Sequence, residues 1–414
     1  RSIFTVFMLW RNNRARLIII KGINMNIIKL ALILLLLIGF DVNAQSKLTK
    51  IEIDPMQLPT SKKSLSDLIM SIEYTPLQTK NDCLIGKVDL FDISKEYILV
   101  YCSKSVSVYL FRRDGRFITK IGRQGEGKGE YLQYCINGVF ISEDQKQILI
   151  KTDYPNRILF YDPSGKFIKS QETKDLGGIL RLYHNKYLFT YPNSKGEKPY
   201  TYEIRNRELK LLAQHIKTKP YKIKGAPNSS GMTWLPPACC YLYNNQLHVK
   251  EISLNDTVYR ITDDNLFIPQ YLISSGKYDI TLEFRSDFKS FIDRMPEFVR
   301  LETVFETTSN LLLSYEYNKK RRYAFYDKQK CILQYFKSDI GIPNDYDGGI
   351  DFWPQKQINK EWVSFYDASV FEESIANPQK LISKAPKEMI NKVKKMIRGL
   401  TSDDNPVMIV VKLK

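Results

Sequence analysis

A β-module that keeps returning along the chain constrains its fold more than any other feature. An apolar strand, a second strand carrying aromatics, a tight turn and a third strand recur between Tyr97 and Phe371. The clearest copies are Tyr97-Ile-Leu-Val-Tyr with Val108-Tyr-Leu-Phe-Arg-Arg-Asp-Gly-Arg-Phe-Ile, and Gln147-Ile-Leu-Ile-Lys with Ile158-Leu-Phe-Tyr-Asp-Pro-Ser-Gly-Lys-Phe-Ile. Asp114-Gly115 and Asp162-Pro-Ser-Gly165 supply the turns, where Pro presets φ and Gly accepts a positive one. A unit that returns every ~40–60 residues points to radial repetition, one propeller blade per copy. Modules at about 87–121, 138–172, 181–215, 241–273, 304–336 and 348–371 predict an all-β fold, a six-bladed β-propeller.

Short helical additions interrupt this pattern. Residues 64–72 suggest one helical turn, and 278–295 a short helix between blades. Residues 386–400 place Met389, Val393, Met396, Ile397 and Leu400 on one helical face with Lys on the other. That face predicts a helix packed on the propeller, with a membrane-surface helix as the alternative. The final strand, Val407-Met-Ile-Val-Val-Lys-Leu413, is expected to pair in the last blade beside a strand from the N-terminal region. Such pairing closes the ring and leaves no long free edge.

The first 44 residues read differently. Met25-Asn-Ile-Ile-Lys29 is a short basic start, Leu30 to Phe40 an apolar run, and Asp41-Val-Asn-Ala44 a short-chain site. This is the pattern of a secretory signal peptide over 25–44, cleaved between Ala44 and Gln45. The run is shorter than the ~20 residues of a membrane span, so no transmembrane anchor is expected after cleavage. Residues 1–24 read as upstream sequence translated from a mis-set start, adding nothing to the fold. Residues 45–414 are then one propeller domain, located in the periplasm, secreted or at the cell surface.

The net charge is +17, part of it in the leader, where six basic residues face only Asp41. The remaining Lys and Arg are spread out, with no zinc-finger, helix-turn-helix or RNA-binding motif beside them. That favours a solvated basic surface and no nucleic-acid partner. Cys83, Cys102, Cys135, Cys239, Cys240 and Cys331 match neither a small disulfide scaffold nor a zinc site. Most lie in or beside apolar strands and read as buried thiols. In a strand, Cys239 and Cys240 would face opposite ways.

Several segments together resemble the NHL-like six-bladed β-propeller proteins abundant in Bacteroidetes. They are Ile121-Gly-Arg-Gln-Gly-Glu-Gly-Lys-Gly-Glu-Tyr131, Asn255-Asp-Thr-Val-Tyr-Arg-Ile261, Asn344-Asp-Tyr-Asp-Gly-Gly349 with Phe352-Trp-Pro354, and the ending from Asp403 to Lys414. Lys128 stands where that family commonly carries Pro. The resemblance covers nearly all of the chain after the leader. It implies an exported six-bladed propeller and no particular activity.

Candidate site residues are few. Asp345, Asp347 and Asp351 surround a Gly pair and could wrap calcium, but the spacing is not that of an EF-hand. The competing reading is an inter-blade turn in which Asp caps amides. Trp234 and Trp353 could stack on a sugar or peptide at the propeller mouth, or pack their own loops. The glycine-rich 122–129 segment lacks the Lys-Ser/Thr of a phosphate loop. His184, His215 and His248 form no recognisable catalytic set, and no nucleophile elbow or paired-Glu signature appears. The leading expectation is a binding scaffold for a glycan, peptide or partner protein, with no cofactor. The alternative is a hydrolase or lyase at the channel mouth, cation-dependent in the calcium case. A structural part in an export or uptake assembly is a third.

Overall fold

The computed structural model describes residues 4–11, 14–21, 48–191, 199–216, 239–250, 256–281, 284, 287–336, 341–371 and 386–414. The chain divides into two units, Arg1–Leu48 and Thr49–Lys414. In the first, Phe4–Arg11 pairs antiparallel with Arg14–Lys21, a hairpin absent from the sequence reading. The signal-peptide run and its cleavage site lie outside the described residues.

The second unit is all-β with a propeller-like arrangement. Four separate sheets each pair four strands in sequence order. The first runs from Leu90–Ile93 to Phe117–Lys120, and the second from Ile136–Ile141 to Phe167–Glu172. The third runs from Gly178–Tyr183 to Leu211–Ile216, and the fourth separate sheet from Arg300–Glu306 to Ile332–Tyr335. Arg123–Gln124 and Glu130–Tyr131 make a two-stranded parallel sheet, and the remaining strands form one nine-stranded sheet. One half holds Cys240–Tyr243, Gln246–Lys250, Asp256–Ile261 and Phe267–Ser274, with Thr49–Glu52 added in parallel at the edge. The other holds Lys356–Ile358, Glu361–Tyr366, Val407–Leu413 and Ile69–Pro76.

This corrects the expectation of six separate blade sheets: four stand alone. The other two modules are joined because their first strands run parallel, with Leu242 opposite Ile358. The Asn359 amide donates to the Leu242 carbonyl at 2.7 Å. Asn245 and Asn359 then exchange two hydrogen bonds of 2.8 Å. Hydrogen bonding therefore continues across the module border.

The continuous apolar runs follow from burial on both faces. In the first sheet Leu99, Val108 and Leu110 pack against Ile148, Ile150 and Leu159 of the second. Their alternates Ile98, Val100 and Phe111 pack against Val363, Phe365, Met408 and Val410. A strand sandwiched between two sheets needs apolar side chains at every position, which erases the period-2 signal. Phe140, Leu149 and Phe160 meet Tyr187 and Phe189 of the third sheet, and Leu188 and Ile204 meet Leu247 and Val249 beyond it. Burying a Leu or Phe in this way contributes about 1.5–3 kcal/mol each.

Closure takes the form the sequence predicts. Val407–Leu413 lies between Glu361–Tyr366 and Ile69–Pro76, antiparallel to both. The turn at Gly115 (φ 86°) tucks under this edge, so that a Cβ there would sit 2.2 Å from the Pro76 carbonyl oxygen. Asn405 ties the same corner. Its Nδ2 donates to the carbonyls of Gln78 (2.8 Å) and Cys83 (2.6 Å), and its Oδ1 accepts from the Ile85 amide at 2.7 Å.

The helical additions are short. Leu65–Leu68 makes one turn, Phe288–Arg294 two, and Lys387–Arg398 buries Val393 and Ile397 against the β-body. Among the described residues no helix is long and apolar enough to cross a membrane.

Candidate functional site

The first strands of the sheets come together in the middle of the propeller-like unit, and charged side chains meet there. Asp92, on the first strand of the first sheet, accepts from the Ile141 amide of the second sheet at 3.0 Å. Lys356, on the first strand of the closing half, donates to Asp92 Oδ1 at 2.8 Å and to the Phe91 carbonyl at 2.7 Å. Its ammonium also lies 4.9 Å from the Phe91 ring centre. Burial pushes the Asp92 pKa up, but Lys356 and Arg181 outweigh it and hold the carboxyl below the usual range. Burial lowers Lys356 more than Asp92 raises it. Cys240 on the neighbouring strand places Sγ 4.0 Å from the Leu180 carbonyl, beside Arg181.

A second polar cluster lies between the fourth separate sheet and the Cys240–Ser274 half. Glu306, 2 % exposed, accepts from Tyr271 (2.8 Å), Tyr241 (3.0 Å) and Lys328 (2.6 Å). His248 stacks flat on Tyr241 with ring centres 4.8 Å apart, and its Nε2 is 3.9 Å from Glu306. Burial holds His248 below its ordinary pKa despite the Glu306 carboxylate. With both His248 and Glu306 sealed from solvent, this cluster ties two sheets together rather than facing a substrate.

An open cleft of about 560 Å³ lies at the third sheet, lined by Glu172, Lys174, Tyr191, Tyr200, Glu203 and Arg205 among others. The Tyr191 and Tyr200 rings meet edge to face, 5.0 Å apart. Glu203 Oε2 accepts from the Tyr191 hydroxyl at 2.7 Å and from Arg205 Nε at 2.8 Å, while Gln214 donates to Oε1 at 2.9 Å. Arg205 NH1 donates to the Leu209 carbonyl at 2.7 Å. Burial raises the Glu203 pKa, but the bonds from Arg205, Tyr191 and Gln214 outweigh it and hold the group below the usual range. The Lys174 ammonium sits 3.3 Å from Glu172.

The residues singled out from sequence fare differently. Trp234 lies outside the described residues. Trp353 is buried, with its ring 4.5 Å from Tyr323 and its indole N–H donating to Thr303 Oγ1 at 3.2 Å. It packs between sheets and has no free face for a sugar or peptide, which corrects the stacking reading. Asp345 turns away from its neighbours to accept from Ser66 N (2.9 Å) and Oγ (2.7 Å), capping the Leu65–Leu68 turn. Asp347 accepts from Asn344 Nδ2 (2.8 Å), the Gly349 amide (3.0 Å) and the Tyr74 hydroxyl (3.1 Å). Asp351 accepts from the Asn344 amide at 3.2 Å. Asn344 thus gathers Asp347 and Asp351, while Asp345 serves another element. Among the described residues no group of three or more His, Cys, Asp or Glu could hold a metal ion. Burial pushes Asp347 up in spite of its three hydrogen bonds.

In the glycine-rich link, the Glu130 carboxylate accepts from the Gly127 amide at 2.9 Å and from Arg123 at 2.5 Å. A carboxylate thus takes the amide that a phosphate would need. Cys239 and Cys240 face opposite ways, toward the Val304 and Leu180 carbonyls, and all six cysteines are free thiols.

Sequence reasoning missed Asp92, Arg181 and Lys356, and also Glu203 with Arg205. The available signal was a charge inside an otherwise apolar first strand, as in Leu-Phe-Asp-Ile and Ile-Leu-Arg-Leu-Tyr.

Fold and sites together define an all-β, propeller-like protein whose polar groups are gathered at its centre, between sheets and in one side cleft. The chain belongs to the family described as Domain of unknown function (DUF4934), which matches residues 48–412. Its structure is similar to that of a candidate exported protein from Bacteroides fragilis. That likeness has 17% identity and a TM-score of 0.64, and covers 88% of this chain and 99% of that one. A member of the DUF4221 family from Bacteroides vulgatus is similar at 11% identity and a TM-score of 0.47, covering 84% and 97%. At these identities the first likeness speaks for the fold alone. No curated protein matches the chain.

Proposed function

We propose that this protein is an exported, NHL-like binding scaffold that captures a glycan in the third-sheet cleft. The reading counts the nine-stranded sheet as two blades, six in all, because the ladder between its halves holds one pair, Leu242 with Ile358, beside the bonds of Asn359. Export rests on the signal peptide read at 25–44, with cleavage after Ala44, and on a structural relative that is itself a candidate exported protein. The mature chain would then work in the periplasm or at the cell surface.

One observation carries the choice of ligand: the cleft is polar and aromatic, and most of its charges are already paired. Lys174 faces Glu172 and Arg205 faces Glu203, so Asp175 is the one lining charge without an ion pair among the described residues, and Glu203 with Arg205 presents a fixed donor and acceptor. Such a lining suits the vicinal hydroxyls of a sugar, and the Tyr200 ring offers a surface to its C–H face. An acidic peptide would find its counter-charges already taken. The hydrolase or lyase reading is weaker here, because Glu203 is held ionised and has no proton to give at neutral pH.

Calorimetric titration of the mature protein with a panel of neutral tetra- to hexasaccharides tests this. The expected result is saturable binding to one glycan class, weakened about tenfold, or ~1.4 kcal/mol, by Tyr200→Ala. Binding that is unchanged in Tyr200→Ala and Arg205→Ala, or a panel without heat, contradicts it.

A further inference from the structure

We infer that Arg181, at the meeting point of the first strands, is the anchor of a second binding site that takes a carboxylate-bearing small molecule. The site is separate from the third-sheet cleft, and the two readings stand or fall independently.

Arg181 occupies the first strand of the third sheet, opposite Leu188. The strand lies against Ile136–Ile141, whose Ile141 amide holds Asp92, and its Leu180 carbonyl faces Cys240 Sγ. Arg181 is therefore placed beside Asp92, Lys356 and Cys240, and it acts electrostatically on all three. Yet among the described residues the side chain of the half-buried Arg181 makes no hydrogen bond and no ion pair. A guanidinium has five donors in a fixed fork. Those donors are open to solvent, and so to a ligand, beside a Lys–Asp pair already tied to each other.

Charge balance gives the ligand class. Asp92 is neutralised by Lys356 at 2.8 Å, which leaves the Arg181 charge as the surplus. A carboxylate carries one compensating charge and matches the guanidinium fork with two parallel hydrogen bonds. A phosphate near two negative charges would overfill the site. Solvent reaches the cluster, since the side chains of Lys356 and Asp92 remain 19% and 12% exposed. A small ligand can therefore approach along the same path. The carboxylate could belong to a sugar acid or to a peptide C-terminus, and the test separates these.

The mature protein is titrated with acetate, glucuronate, glycylglycine and inorganic phosphate, with chloride holding the ionic strength constant. The readouts are calorimetric heat and the thermal midpoint. Saturable binding of a carboxylate is expected, weakened at least tenfold in Arg181→Gln and by less in Arg181→Lys, which keeps the charge but not the fork. The tightest of glucuronate and glycylglycine names the source. Arg181→Gln without ligand should melt close to the parent temperature, because the repulsion it removes from Lys356 and the attraction it removes from Asp92 act in opposite directions. A marked fall in that midpoint would mean that Arg181 is a structural partner of Asp92, and would overturn the inference. So would equal carboxylate binding by parent and Arg181→Gln, tighter binding of phosphate than of any carboxylate, or no binding of any probe.

Discussion

Lys356 and Asp92 stand 264 residues apart in the chain and 2.8 Å apart in the fold. The pair links the closing half of the nine-stranded sheet to the first sheet, and through the Ile141 amide to the second. Removing one partner leaves a nearly sealed charge uncompensated, which costs about 3–5 kcal/mol. Lys356→Met should therefore lower stability by about 3 kcal/mol in urea unfolding, discounted for the residual exposure of the pair. Asp92→Leu combined with Lys356→Met should recover much of that loss. A double variant no more stable than the single one would contradict the pairing.

Asn405 holds the corner where the chain ends meet. Its three hydrogen bonds satisfy buried backbone groups of Gln78, Cys83 and Ile85. Asn405→Ala strands those groups, and each unsatisfied buried polar group costs about 1–3 kcal/mol. A fall of at least about 2 kcal/mol is expected, while Asp403→Ala two residues away should have little effect. Equal effects of the two substitutions would show that the corner is not fixed by Asn405.

His248 makes stability depend on pH. Burial holds its folded pKa below the ordinary value of ~6.5. Between those two values the unfolded chain binds the proton and the folded one does not. The stability is present in full above ~6.5 and is lost as pH falls toward the folded value. His248→Phe keeps a ring on Tyr241 and removes the titration. Unfolding midpoints between pH 7 and 5 should fall less steeply in this variant than in the parent, and parallel slopes would contradict the assignment.

Asp347 has the opposite sign. Its folded pKa is raised by burial, so its contribution is most favourable below ~3.8 and is lost as pH rises through the folded value. Asp347→Asn keeps an acceptor for Asn344, Gly349 and Tyr74 without the buried charge. The variant should melt a few degrees higher than the parent at pH 7 and gain nothing at pH 3.5. Calcium should leave both melting curves unmoved. A calcium-dependent rise in the parent that is lost in the Asp345→Ala, Asp347→Ala double variant would restore the metal reading.

The repeating strands, the short helices and the closing strand were legible because local pattern governs them. Apolar and aromatic runs, Asp-Gly turns and the amphipathic 386–400 face are each set within a dozen residues. The joined sheet was not legible, because a parallel pair between Leu242 and Ile358 depends on how two distant first strands approach each other. The sites were harder still. Asp345, Asp347 and Asp351 look like one cluster on paper, but Ser66 draws Asp345 away. Trp353 looks like a mouth residue, yet Thr303 and Tyr323 enclose it. Conversely, Glu203 and Arg205 sit in the ordinary-looking strand Tyr200–Asn206, and only the meeting of that strand with Tyr191 and the 172–176 segment reveals the cleft.

Hydrogen–deuterium exchange of the mature protein, with and without the tightest oligosaccharide of the panel, tests the central claim most directly. The account predicts slowed exchange in the segments 172–176 and 200–205 that line the cleft, and little change around Trp353 or the Asp345–Asp351 turn. Protection confined to that turn, or to the Lys387–Arg398 helix, would place the ligand elsewhere and contradict it.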